Sequence, residues 1–378
     1  MIRCCPSQIL LTLISCLLLL TAFGCSSPQE QDQISIDRIN IMQALSSTAG
    51  GECYDKADAP RPIGFPKDAG SHDGFRTEWW YYTGNLKNDQ GRHFGYQLTF
   101  FRQALSCEPV KGASKWRTRQ LYFTHLAVTD TRSGTFYSDL RMNRQSLGIA
   151  GSQQNPYTVW IDDWRVRQVN DRLVLTARGD GILLELVLTQ EKPVILQGNQ
   201  GLSRKGRKPF NASFYYSLPR LKTSGTLQVG PDIHKVDGNT WFDHEWSTSA
   251  LDADVAGWDW FSAHLDDGRD FMVCQIRKPD GTPNNYGFGS LCFPDGTYEI
   301  LNKDDFTIQT KGYWTSPATG RRYPGAWEIT LPGHGIKMAV TPVIPNQEHI
   351  HMFPYWEGAA RFSGKEINGF GYVELTGY

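Results

Sequence analysis

The chain has 378 residues, a formal net charge of −1, 40% apolar and 20% charged residues, and 12 Trp, 16 Tyr, 19 Phe and 37 Gly. So even a charge balance offers no electropositive surface for nucleic acid, and the length exceeds what one compact domain usually holds. The aromatic and glycine content suits pleated sheets, tight turns and apolar pockets.

Arg3 precedes an apolar run from Ile9 to Phe23 that is too short and wrongly flanked to span a bilayer. It leads into Ala22-Phe23-Gly24-Cys25. A small residue directly before a cysteine resembles a bacterial lipobox, with Ala22 standing where Leu is usual. Residues 1–25 therefore read as a lipoprotein signal peptide, with Cys25 as the lipid-bearing N-terminus of the exported chain. An ordinary secretory signal is the other reading. The implied partner is a membrane reached through lipid. Ser26, where Asp would signal inner-membrane retention, favours the outer membrane, facing the periplasm. Residues 26–70 are rich in Ser, Gln, Asp, Gly and Pro and read as a flexible tether.

Beyond Cys25 four cysteines remain: Cys53, Cys107, Cys274 and Cys292. An even number suits an oxidising compartment. Cys274 and Cys292 lie equidistant from Pro283 in a turn-rich stretch, which would set them facing across a hairpin and leave Cys53 with Cys107. Bridges and buried free thiols both remain open.

From residue 71 onward, short alternating runs such as Glu78–Leu86, Phe94–Arg102, Trp258–Leu265 and Gly371–Leu375 are separated by Gly, Pro, Asn and Asp. Period-two alternation without long helical stripes predicts an all-β architecture of sandwich or barrel type. An internal repeat divides it. Trp79, Leu86, Gly91, Arg92 and Phe94 match Trp258, Leu265, Gly268, Arg269 and Phe271, each set an aromatic strand, a polar turn and a second apolar strand. The expected domains are 71–235 and 236–378, two tandem barrels.

Four blocks carry a family resemblance. Thr77-Glu78-Trp79-Trp80-Tyr81-Tyr82-Thr83-Gly84-Asn85-Leu86 resembles the opening block of the AttH-like and carotenoid 1,2-hydratase family. Tyr215–Leu221 and Trp241-Phe242-Asp243-His244-Glu245-Trp246 are similar to its middle blocks, and Tyr355–Gly358 with Gly369–Tyr378 to its C-terminal block. The resemblance implies two lipocalin-like (calycin-type) β-barrels packed together. It also implies a loose functional class: hydratases of carotenoid or phenolic prenyl groups, relatives that shape polyene products, and secreted proteins labelled hydrolases. Fold is fixed better than function by such a match.

Asp243-His244-Glu245 sets three ionisable groups in a row, and on a strand Asp243 and Glu245 share one face while His244 and Trp246 share the other. Hydrating an unactivated alkene needs a strong acid, aromatic faces for the carbocation and a base for water. A carboxyl in an apolar pocket has a raised pKa and can be that acid, and indole or phenol faces attract positive charge. Asp243 or Asp259 is the candidate acid, His244 and Glu245 are candidate partners, and Trp246, Trp258 and Trp260 the candidate lining, with Trp79, Tyr81, Tyr355 and Trp356 as further ligand contacts. Asp259 points opposite to its Trp neighbours, so Asp259 and the Trp258/Trp260 pair are competing cavity readings. The bland alternative is a hydrogen-bonded structural cluster. Glu78 and Glu357 read as structural charges, Glu357 with Arg361 as a possible partner, and Trp79 and Trp80 as barrel-closing aromatics.

His349 and His351 offer two imidazoles without a third ligand, and His125 reads as a core histidine, so no metal is expected. The chain has no Gly-x-Ser-x-Gly, no His-Glu-x-x-His and no phosphate or dinucleotide loop, so no cofactor is implied. Two functions follow. One is cofactor-independent hydration or isomerisation of a hydrophobic unsaturated small molecule. The other is carriage of an apolar ligand without chemistry.

Overall fold

The computed structural model describes residues 53–108, 112 and 114–378. The expected signal peptide, Cys25 and the expected tether up to residue 52 lie outside the described residues. Strands β1 (Thr77–Asn88) and β2 (His93–Ala104) form a hairpin, followed by β3 (Gln120–Asp130) and β4 (Thr135–Arg144). A meander continues through β5 (Ala150–Gln154), β6 (Tyr157–Ile161), β7 (Trp164–Val169), β8 (Arg172–Gly179) and β9 (Ile182–Gln190). The short β10 (Ile195–Leu196) and β11 (Leu202–Arg204) precede the two longest strands, β12 (Ala212–Val229) and β13 (Asp232–Ser247).

A second series follows: β14 (Gly257–Leu265), β15 (Asp270–Arg277), β16 (Phe288–Cys292), β17 (Tyr298–Asn302) and β18 (Thr307–Thr315). It ends with β19 (Arg322–Leu331), β20 (Ile336–Pro342), β21 (Glu348–His349), β22 (Tyr355–Ser363) and β23 (Asn368–Leu375). No α-helix occurs among the described residues.

The first sheet runs β4-β3-β2-β1-β13-β12-β9-β8-β7-β6-β5, with β10 and β11 paired to β12. The second runs β17-β16-β15-β14-β23-β22-β20-β19-β18, with β21 on β22. One plan serves both: the first strand pairs antiparallel with the last, and the two edge strands are consecutive in the chain. The first sheet is a nearly closed barrel and the second a half-barrel, the all-β architecture expected from the alternation and the lipocalin-like fold implied by the family resemblance. The matched turn glycines behave alike, Gly91 at φ +76° and Gly268 at φ +86°, a left-handed conformation that glycine adopts without steric cost.

Each barrel encloses its own core, one containing Trp80, Leu86, Phe94 and Trp246, the other Phe261, Leu265, Phe271 and Trp356. A third apolar cluster, with Tyr81, Tyr215, Trp241, Trp260 and Met272, joins the outer faces of the two sheets. That contact explains why β1 and β13 are buried on both faces. Gly95 marks the closest approach, since a Cβ there would stand 2.4 Å from the Ala359 Cβ. Asn85 Nδ2 donates to Gly371 O at 3.0 Å, and buried Asp270 accepts from Lys192 (2.7 Å) and Arg220 (2.8 Å).

Residues 53–70 carry more structure than a tether. Ala57 and Asp68 are buried, Arg61 pairs with Asp68 at 2.8 Å, and Phe65 meets Tyr216 edge-on. Cys53 and Cys107 form a disulfide that fastens this segment to the end of β2. The bridge spans 54 residues, and chain-entropy arguments assign such a loop about 4 kcal/mol. Reduction is expected to lower the unfolding free energy by that order, measured by denaturant titration with and without dithiothreitol; an unchanged midpoint would contradict it.

Cys274 and Cys292 are free and buried, which corrects the facing-pair expectation. In the β15–β16 register Cys274 lies opposite Phe288 and Cys292 opposite Asp270, because the tight turn closes at Lys278–Thr282 rather than around Pro283.

Candidate functional site

A cavity opens between the outer faces of the two sheets, where β1 and β13 face β14, β22 and β23. Strand alternation places its walls. From the first sheet come Trp79, Tyr81, Phe101, Tyr215, Asp243 and Glu245; from the second come Trp258, Trp260, Phe288, Glu357 and Glu374. Trp79 and Trp258, matched in the repeat, both line it.

Asp243 is buried, with both oxygens engaged: Tyr215 Oη donates at 2.6 Å, Ser217 Oγ at 2.5 Å and Trp241 Nε1 at 2.8 Å. Burial pushes its carboxyl up to about 7, against the opposing pull of those three donors. Two residues along the same face, Glu245 accepts from Ser213 Oγ at 2.5 Å and pairs with Lys205 Nζ at 2.5 Å. The Lys205 ammonium lies 4.3 Å from the Phe288 ring centre and 5.0 Å from that of Tyr215.

Across the cavity Glu357 and Glu374 are register partners on β22 and β23. Glu357 Oε2 accepts from Gln97 Nε2 at 2.6 Å, while Oε1 makes no well-formed hydrogen bond. Its carboxyl stands well above the ordinary range through burial and the neighbouring Glu374 charge. Glu374 is pushed up to about 8, by burial first and then by Glu245 and Asp243. The expected Arg361 partner of Glu357 is absent, because the Arg361 guanidinium lies over the Phe370 ring at 5.0 Å.

A carboxyl raised by folding contributes stability that is full below its unfolded pKa, near pH 4, and lost as pH rises through the folded value. At pH 9 Glu374→Gln is expected to be more stable than the parent by on the order of 2 kcal/mol, half-burial screening the remainder. At pH 5 the two proteins should melt together. Equal melting at both pH values would contradict the raised carboxyl.

A family model described as AttH-like matches residues 56–378. The chain belongs to the AttH-like family. A crystal structure of an AttH-type protein from Nitrosomonas europaea is 34% identical, with TM-score 0.75 over 85% of this chain and 99% of that one. Kievitone hydratase from Nectria haematococca, 14% identical with TM-score 0.64 over 88% of this chain and 96% of that one, shares the fold. No protein of curated function matches the sequence.

In this AttH-like protein the other residues singled out in the sequence lie elsewhere. His244 and Trp246 point into the first barrel rather than the cavity. There Glu78 accepts from Arg102 Nε at 2.8 Å, while His244 Nε2 lies 2.8 Å and His72 Nδ1 2.6 Å from its other oxygen. Trp246 stacks on His72 with centroids 3.7 Å apart, and Trp80 stacks on His244. Burial lowers His244 to about 4, so it is neutral at pH 7. Burial alone would raise Glu78, but Arg102 and His72 hold it well below the carboxylate range. His72, Glu78 and His244 bring three ligand atoms within 4.8 Å. The Arg102 guanidinium already supplies the positive charge that a metal would bring.

Asp259 faces the second barrel's end, paired with Arg277 at 2.9 Å and accepting from Tyr378 Oη at 2.8 Å, while Trp258 and Trp260 take the cavity side. Each barrel thus holds a buried arginine–carboxylate pair at this end. Trp356 lies in the second core and donates to Pro345 O at 2.8 Å. Tyr355 lies under the cavity, its hydroxyl 2.7 Å from His125 Nδ1 and its ring stacked on His349. His351 turns instead to Ser138.

Lys205, Phe101, Phe288 and Glu374 were not singled out in the sequence. Lys205 follows a three-residue strand in an irregular stretch and carries no periodic signal. Glu374 was legible in principle, through alternation in the last strand and its hairpin register with Glu357.

Proposed function

We propose that this AttH-like protein is a cofactor-independent hydratase acting on a hydrophobic unsaturated small molecule, with Asp243 as acid. The observation that carries the reading is a buried carboxyl, poised at about 7, in an aromatic cavity beside an ion-paired second carboxylate. Two carboxyls with different charge environments suit acid and base roles.

As the Asp243 O–H bond breaks, the alkene π pair forms a C–H bond and leaves a cation on the neighbouring carbon. Trp258, Trp260 and Tyr81 line the space it occupies. A water lone pair closes the C–O bond, and Glu245 takes the proton that this water loses. Asp243 and Glu245 lie about 7 Å apart along one strand face, so the proton returns within the cavity and both groups are restored. Proton loss from carbon in place of water attack gives isomerisation. Kievitone hydratase, a hydratase by name, shares the fold.

Non-catalytic carriage of an apolar ligand is favoured by one observation: three donors occupy both Asp243 oxygens. The two readings separate in H₂¹⁸O. An acyclic isoprenoid alkene and a prenylated phenol are incubated with the protein, and hydration adds one ¹⁸O-labelled water to one of them. Recovery of both compounds unchanged supports carriage.

We also propose export with a lipid on Cys25. A disulfide between Cys53 and Cys107 suits an oxidising compartment, and no helix among the described residues is long and apolar enough to cross a membrane.

A further inference from the structure

The Glu357–Glu374 pair has an unusual setting. Among the described residues, neither carboxyl has a lysine or arginine partner, although Lys205 in the same cavity is committed to Glu245. Glu357 is 1% exposed and Tyr81 5%, both line the cavity, and Glu357 Oε1 and the Tyr81 hydroxyl make no well-formed hydrogen bond, interacting only loosely with each other. Buried polar atoms left so poorly partnered are rare enough to need an explanation, and a ligand that supplies the missing charge is one. The surroundings fit such a ligand. Trp260 is the other register neighbour of Glu374, and Trp79, Trp258 and Phe101 complete an aromatic wall. Indole faces beside two carboxyls that a bound cation would draw into the ionised form are the chemistry that recognises organic cations.

We infer that this cavity binds organic ammonium compounds with an apolar body, the charge held between the Glu357–Glu374 pair and the faces of Trp79, Trp258 and Trp260. The inference rests on the cavity of the proposed hydration but not on its acid. An ammonium group reproduces the charge of the carbocation in that reaction, so such compounds would also occupy the site competitively.

The test compares benzyltrimethylammonium with neopentylbenzene, the same shape without the charge, by titration calorimetry at pH 8. The ammonium is expected to bind at least about tenfold more tightly. Glu357→Gln and Glu374→Gln are each expected to shrink that preference, and the double variant to reduce it below about threefold. Neopentylbenzene affinity should stay within about twofold throughout, which shows that the variants are folded. Equal binding of the two compounds by the parent, a preference that survives in the double variant, or no binding of either compound would overturn the inference. Ammonium binding that depends on the two glutamates, in a protein that hydrates no alkene, would sink the proposed reaction and leave this inference standing.

Discussion

Replacing Arg102 with methionine is expected to destabilise the protein by about 3–5 kcal/mol, the range for removing one partner of a buried ion pair. Arg102 is 1% exposed and makes four hydrogen bonds: to Glu78 Oε2 and Gln120 Oε1, both at 2.8 Å, and to the carbonyls of His72 and Phe75, both at 2.9 Å. Methionine keeps the apolar stem and removes every donor, leaving the Glu78 charge dependent on His72 and His244. Against a total stability of about 5–15 kcal/mol for a typical fold, this loss is large. Adding Glu78→Gln should recover part of it, because the uncompensated charge goes as well. Urea unfolding of the two variants checks the claim, and a loss below about 1 kcal/mol for the single variant would contradict it.

The second large effect falls on chemistry. Asp243→Asn keeps the shape and the partners Tyr215, Ser217 and Trp241 but has no transferable proton. Turnover is expected to fall by about 10²–10⁴, the usual contribution of a general acid. The fold should not suffer. Because the native carboxyl is raised to about 7, its ionisation costs stability as pH climbs through that value, and the amide avoids the cost. A variant that is slower yet at least as stable at pH 8 is what an electrostatically strained active site produces. A variant that is less stable and equally active would assign Asp243 a structural role.

The contrast between Arg102 and Asp243 shows what the sequence could reveal. Alternation and aromatic runs were enough for an all-β fold, and the match of Trp79, Gly91 and Phe94 to Trp258, Gly268 and Phe271 anticipated two sheets of one strand order. Alternation also separates Asp243 and Glu245 from His244 and Trp246. It could not say which face of β13 meets the cavity, because both faces are buried, one by the barrel core and one by the second sheet. For the same reason Asp259 and its flanking tryptophans were competing candidates, and the ion pair with Arg277 decides between them.

Long-range partners were hidden for a different reason. His72 reaches Glu78 and Trp246 from the irregular stretch just before β1, and Lys205 meets Glu245 from 40 residues away. Neither contact leaves a local pattern. The hairpin between Cys274 and Cys292 was misjudged because a turn-rich stretch contains several possible centres, and a shift of two positions in the centre displaces the register by four.

The most direct test of hydration in this cavity is mass spectrometry of the small molecules retained by the purified protein and its Asp243→Asn variant. The account predicts that the variant holds an unsaturated compound, while the parent releases that compound with one added water. If both proteins hold the same molecule unchanged, the cavity carries a ligand and Asp243 is not an acid.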